Sequence, residues 1–187
     1  MSKYRSLSQF ELFISKNGKR TSKVIPGSFY TYDYSYNSSI VGKSQKVKDQ
    51  ISYYDRKPLI FVFNYYRAKN GEIFAEGLNF HQMPVKARIY LLSVFKKISP
   101  SNTEKDLRIN ISPNTLKTMI KRMQIKSKFV FRQYNINRIQ RPMQISFSDM
   151  KELIKYTPET YNSRQYDEVV LNYRLYNPYN VKKKGRT

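Results

Sequence analysis

Tyr30, Tyr32, Tyr34 and Tyr36 alternate with Thr31, Asp33 and Ser35. A period of two places one set on each face of a strand. Pro26-Gly27 just before it marks a turn, so a strand is predicted over Phe29 to Tyr36. The run Pro58 to Tyr66 is apolar through Phe63 and reads as a second, buried strand. Asn70-Gly71 is a hairpin signal, with a return strand from Glu72 to Phe80. Gly77 inside that strand predicts a bulge or a close backbone approach.

The period then changes. Pro84 fits the first position of a helix. Ala87, Leu91, Val94, Phe95 and Ile98 follow on one helical face, with Lys86, Arg88, Lys96 and Lys97 around the rest. Ser99 to Thr103 is a loop, and Leu107 to Ile111 alternates like a short strand. Ser112 is placed to cap a helix that begins with Pro113. Its face is Leu116, Met119, Ile120 and Met123. Phe129 to Tyr134 is strand-like and Ile136 to Phe147 extended. Ser146 with Asp149 has the spacing of a capping box, for a short helix over Met150 to Tyr156 ahead of Pro158. Val169 to Tyr176 reads as a last strand. Strands mixed with short helices, without βαβ alternation, predict an α+β fold. Its centre is expected to be a small antiparallel sheet or barrel in the N-terminal half, with short basic helices. Residues 1–24 form a basic arm that Phe10, Leu12, Phe13 and Ile14 can dock. Residues 25–156 form one domain, and 157–187 a C-terminal extension ending in a basic tail.

Composition narrows the function. The 187 residues include 35 Lys plus Arg against 13 Asp plus Glu, a formal net charge of +22. Self-repulsion on that scale makes a polyanion the expected partner. With no Cys, disulfide frameworks, thiol catalysis and Cys-ligated zinc are excluded. One His excludes a His-rich metal centre. No apolar run is long enough to span a bilayer, and the N-terminus lacks the apolar stretch of a secretion signal. The expected setting is a cytoplasm, with no membrane partner. Abundant Lys, Asn, Ile and Tyr beside very few Ala point to an AT-rich genome, which contributes to the Lys excess.

Candidate chemistry is mainly electrostatic. Between Asp106 and Asp149 there is no acid, but there are Arg108, Lys117, Lys121, Arg122, Lys126, Lys128, Arg132, Arg138 and Arg141. Phe129, Phe131 and Tyr134 are interleaved. Cations meet phosphates and release counterions, while aromatic rings stack on bases. Lys117, Lys121 and Arg122 share one helix face and make the best single patch. Lys182, Lys183 and Lys184 in the tail add a sequence-blind grip, or merely keep the tail solvated. His81 is either a general base or a core His fixing a carbonyl. Glu72 and Glu76 lie on one face of a strand and are candidates for holding Mg²⁺, without the rest of a nuclease constellation. Asp55-Arg56 is a turn ion pair. The tyrosine stripe is a packed sheet face before it is a base-stacking platform. There is no phosphate-cradling glycine loop, and no cofactor or small-molecule substrate is expected.

Three segments together resemble a family of small virion proteins from T4-like and other large tailed phages. They are Ile25 to Tyr34, where Pro-Gly opens an aromatic strand; Ser52 to Val62, with Tyr-Tyr-Asp-x-x-Pro-Leu; and Gly77 to Arg88, with Gly-Leu-Asn-x-His ahead of a basic helix. Leu107 to Asn110 also fits, so the resemblance spans about residues 25–156. Gly-Leu-Asn-x-His is its most specific part. The chain departs from the pattern at Gln82-Met83, where Tyr-Leu is usual, and in its Arg-rich C-terminal third. The resemblance implies a DNA end protector of the head-completion type, in the virion and, during assembly, in the host cytoplasm. It also makes Asn79 and His81 matching positions, expected to pin the strand-to-helix turn. An SH3-like barrel is expected for Pro26 to Pro84.

The leading expectation is therefore a non-enzymatic phage virion protein. It binds double-stranded DNA without sequence preference, at the genome end or head–tail neck, alongside other phage structural proteins. The alternatives are a connector or baseplate protein whose basic surface meets an acidic neighbour, a Mg²⁺-dependent nuclease using Glu72, Glu76 or Asp55, and an RNA binder.

Overall fold

A computed structural model describes residues 7–35, 57–83, 85–99, 108–125 and 130–154. Its elements run α1 (Leu7–Asn17), β1 (Lys19–Arg20), β2 (Ser28–Tyr34), β3 (Leu59–Arg67), β4 (Ile73–Asn79), α2 (Val85–Ile98), α3 (Pro113–Arg122), β5 (Phe131–Asn135), β6 (Ile139–Ile145) and α4 (Phe147–Leu153). One 3-10 turn, Phe80–Gln82, links β4 towards α2, and another, Ile136–Arg138, joins β5 to β6. The fold is α+β. The six strands form one sheet in the order β1-β6-β2-β3-β4-β5, with every pair antiparallel.

Both faces of the sheet are packed. Phe29, Leu59, Phe61 and Leu78 face the helices, where Phe10 and Ile14 of α1, Leu91 and Phe95 of α2, Leu116 and Ile120 of α3, and Met150 and Leu153 of α4 meet them. Phe29 lies against Phe61, Phe80, Phe95 and Phe147 with ring centroids 5.2–6.2 Å apart. The opposite face carries Tyr30, Tyr32, Ile60, Val62, Ala75 and Tyr134. The period-two tyrosines thus form a packed layer. Their hydroxyls also serve the backbone: Ile25 N donates to Tyr30 OH and Asn135 N to Tyr34 OH, each at 3.0 Å. Burial raises the pKa of both hydroxyls.

The second layer makes the sheet curl. Three strand spacings separate β2 from β5, about 14 Å in a flat sheet. Yet Tyr134 on β5 meets Tyr32 at 5.4 Å and Tyr34 at 5.0 Å, edge to face. Two bulges accommodate the bend. Phe63 is the extra residue of β3 opposite β4. On β6, Arg141 and Pro142 oppose the single residue Tyr32, and Arg141 takes φ 48°. A bulge is where a strand tolerates a proline, because no ladder donor is needed there.

Several expectations change. The closed barrel does not form: among the described residues β5 and β6 are joined by a turn but share no ladder, so the sheet stays open. Two of its strands, β5 and β6, come from beyond residue 130 rather than from Pro26 to Pro84. Residues 108–111 are not a strand; a backbone bond, Ile109 N to Gly27 O at 2.8 Å, ties them to the turn after Pro26. Ile136 to Phe147 is interrupted by the 3-10 turn. α4 starts at Phe147, three residues early, because Ser146 Oγ itself accepts from Asp149 N at 3.1 Å. Ile98 is exposed rather than packed, and Arg88 is buried rather than solvated. Tyr36, Asp55-Arg56, Pro84, Leu107 and everything after Ile154 lie outside the described residues.

Gly77 is the close approach its position predicts. A Cβ there would sit 2.1 Å from Ile60 Cδ1 and 3.0 Å from Phe61 O. Gly77→Ala is therefore expected to lose about 1–3 kcal/mol in urea unfolding, the usual cost of overpacking. In an Ile60→Ala background most of that added loss should disappear; an unchanged loss would place its cause in the backbone.

Candidate nucleic-acid interface

Helix α3 is built as its sequence requires. Ser112 Oγ accepts from Thr115 N at 3.1 Å, and Pro113 starts the helix without a donor to lose. Leu116 and Ile120 enter the core, which turns Lys117, Lys121 and Arg122 outward on the helix layer. No acid lies on α3, so these three cations form a local positive ridge.

The other described candidates lie elsewhere. Arg132 pairs with Gly77 across β4–β5 and so belongs to the tyrosine face. Arg138 sits in the 3-10 turn close enough to Tyr34 to favour its ionised form. Arg141 is exposed, and its Nη2 is 2.5 Å from Asp33 Oδ2. Arg108 donates from Nε to Pro26 O at 3.2 Å, beside the Gly27 turn. The structure thus divides the cations between the helix layer and the far side of the sheet. Lys126, Lys128, Lys182, Lys183 and Lys184 lie outside the described residues.

The fold gives three further cations a place. Lys19 and Arg20 pair with Gln144 and Met143, and so line the β6 edge of the sheet. Arg67 closes β3 beside two half-exposed tyrosines, Tyr65 and Tyr66. The signal for Arg67 was present in the sequence: Tyr-Tyr-Arg breaks the apolar run at its end.

Asn79, His81 and Arg88 form a structural unit. Asn79 Oδ1 accepts from His81 N at 3.0 Å, and Asn79 Nδ2 donates to Tyr134 OH at 3.2 Å. These bonds pin the strand-to-helix turn. The wholly buried Arg88 donates from Nε to Met83 O at 2.7 Å, from Nη1 to Ile154 O at 3.3 Å and from Nη2 to His81 O at 3.4 Å. His81 packs edge-on against Phe10. Burial, and then the charge of Arg88, hold its imidazole well below the ordinary 6.5. That environment is a core site and not that of a general base open to substrate.

The candidate metal carboxylates are spent on amides. Glu76 accepts from Asn64 Nδ2 and Gln133 Nε2, each at 2.8 Å. Glu72, just ahead of β4, accepts from Asn70 Nδ2 at 2.8 Å and Asn135 Nδ2 at 2.7 Å. The two carboxylates hold neighbouring strands and loops together, and among the described residues no cluster of acids or His brings them to one ion.

A family model described as phage T4 terminal DNA protecting protein matches residues 1–166. No curated protein and no solved structure matches the chain.

Two outcomes are expected from the Asn79–His81–Arg88 unit. His81 is the only His in the chain, and its folded pKa is lowered. Between that value and 6.5 the unfolded chain binds more protons, so stability is complete above about pH 6.5 and declines below it. The slope approaches about 1.4 kcal/mol per pH unit. Urea unfolding at pH 5.5–7 should show this decline, and His81→Gln should remove it. Arg88→Met leaves three buried carbonyls without their donor, and should lower stability by about 3 kcal/mol or more in the same assay.

Proposed function

We propose that this chain, which belongs to the phage T4 terminal DNA protecting protein family, binds at the end of a duplex phage genome without reading sequence, its affinity supplied by the phosphates. The observation that carries this is the family match over residues 1–166. The net charge of +22 and the acid-free span from Leu107 to Ser148 support the chemistry. Lys117, Lys121 and Arg122 on α3 lead, and Arg108, Arg132 and Arg138 add contacts on other sides. Lys126, Lys128 and the tail lysines Lys182, Lys183 and Lys184 extend the same grip. Arg141 contributes only in exchange for Asp33. Phosphate neutralisation requires no catalysis, and Glu72 and Glu76 serve the fold. The protein acts in the virion, after assembly in the host cytoplasm.

One observation favours a second role beside the first. Helix α2 carries no acid, and exposes Ile89 and Tyr90 among Lys86, Lys96 and Lys97. A phosphate backbone has nothing to offer Ile89, whereas an acidic protein surface with an apolar centre fits both parts. Other virion structural proteins are therefore partners in this reading.

The test is fluorescence anisotropy with a short blunt duplex, titrated across salt with Mg²⁺ present and a closed circular competitor. If about six phosphates are neutralised, log Kd should rise with log salt with a slope of about 5. The circle should compete poorly and the duplex remain intact. Lys117→Ala/Lys121→Ala should reduce the slope by about 2. A folded protein that fails to bind at low salt overturns the DNA reading and leaves the acidic-protein partner.

A further inference from the structure

Phosphates lie along the whole length of a duplex, so a surface that reads only phosphates cannot tell an end from the middle. What only an end has is a base pair with one uncovered face. A ligand for that face is a flat, exposed, aromatic side chain bordered by cations that hold the adjoining backbone.

The free end of the β3–β4 hairpin offers such an arrangement. Tyr65 and Tyr66 are each 41% exposed, but they occupy different surroundings. Tyr65 pairs with Ala75, which pairs with Tyr134, so Tyr65 belongs to the tyrosine face. On that face Arg67 lies two residues further along the same strand. Arg132 lies beyond β4, opposite Gly77. Ala75 and Gly77 are the small residues of β4 between them, and Ile60 of β3 fills the space over Gly77. Lys69, exposed, follows at the tip, and Asn70-Gly71 closes the turn with Gly71 at φ 84° and Gly71 N bonded to Ala68 O. Tyr66 points the other way. Its ring lies 5.9 Å from Phe74, and the next pair along that face is Asn64–Glu76, which places a carboxylate beside it. Glu72 also stands at the tip, bonded to Asn70 and Asn135, so three cations outweigh one carboxylate around the first ring, whereas the second has a carboxylate and no cation paired along its face.

We propose that Tyr65 is a stacking platform for the uncovered face of a terminal base pair, with Arg67, Lys69 and Arg132 taking the phosphates of the two strand ends. The proposal rests on the DNA reading above and deepens it. Charge supplies affinity over the whole surface, and the hairpin tip supplies the preference for ends.

The test uses the full chain with the same blunt duplex and circular competitor. Wild type should prefer linear over circular DNA. Tyr65→Ala should lower that preference about tenfold, within the range measured for losing one base–aromatic stack, and leave affinity for the circle unchanged. Tyr65→Phe keeps the ring and should keep the preference. Tyr66→Ala, equally exposed on the other face, should also keep it. A 2-aminopurine in the terminal pair should change fluorescence on binding wild type, and not on binding Tyr65→Ala; the same base ten pairs inward should respond to neither. If Tyr65→Ala retains the end preference, or Tyr66→Ala abolishes it, the hairpin assignment is wrong while the phosphate reading stands. If wild type binds linear and circular DNA alike, both the assignment and the end role fall. If it binds neither, the DNA reading itself fails.

Discussion

The buried guanidinium of Arg88 is the interaction on which the helix layer depends. Removing a cation from water costs several kcal/mol, and only well-placed acceptors offset it. Here the acceptors include backbone carbonyls of the turn, Met83 and His81, and of Ile154 at the end of α4. The last of these is an orphan by construction, because the final carbonyls of a helix have no intrahelical donor. One side chain thus satisfies the end of α4 and fixes the turn leading into α2, and joins segments 66 residues apart. Burial first, and then the charge of Arg88, keep the neighbouring imidazole neutral, and His81 serves as a packing group for Phe10 of α1.

The sheet obeys a second constraint, which is that it must cover two cores at once. Tyr30, Tyr32 and Tyr134 close over Ile60 and Val62 on the face away from the helices. Closing over them bends the sheet, and the bend is absorbed at Phe63 on β3 and at Arg141-Pro142 on β6. The tyrosines suit this task because their rings fill the curved interior, while the hydroxyls of Tyr30 and Tyr34 accept from the backbone at Ile25 and Asn135. Arg141 is a consequence of the same bend. Its left-handed backbone lies at the bulge, and its side chain is drawn to Asp33, which also lies 3.7 Å from Lys57. A residue that looks available in the sequence is thereby partly committed to the fold.

Local rules explain what the sequence revealed. The Ser112-Pro113 start of α3, the Asn70-Gly71 hairpin and the tyrosine alternation are each decided by residues within a few positions. Long-range pairing explains what it concealed. No pattern near Lys19-Arg20 announces that it will join β6, more than 120 residues away. Nor does the spacing of Arg88, which looks like any solvated position on α2, reveal carbonyls waiting at residues 81, 83 and 154. The candidate site was legible as composition and not as a surface. Lys117, Lys121 and Arg122 were found together because one helix carries them. Arg132 shares their acid-free run in the sequence, whereas the sheet places it on the tyrosine face.

The outward charge is one-sided because 35 cations face 13 acids, and several of those acids are also engaged within the fold. Glu11 is bonded to Lys57, Asp33 to Arg141, Glu72 and Glu76 to amides, and Asp149 to Ser146. These carboxylates are used as struts, while Lys117, Lys121, Arg122, Arg67, Lys69, Lys19 and Arg20 face solvent from several sides. Repulsion among them opposes folding, and any polyanion that relieves it stabilises the folded chain by mass action. A field spread in this way draws a polyanion from every direction but orients it in none. Orientation has to come from groups that are few, rigid and chemically unlike the rest, which on this surface are the half-exposed aromatic rings.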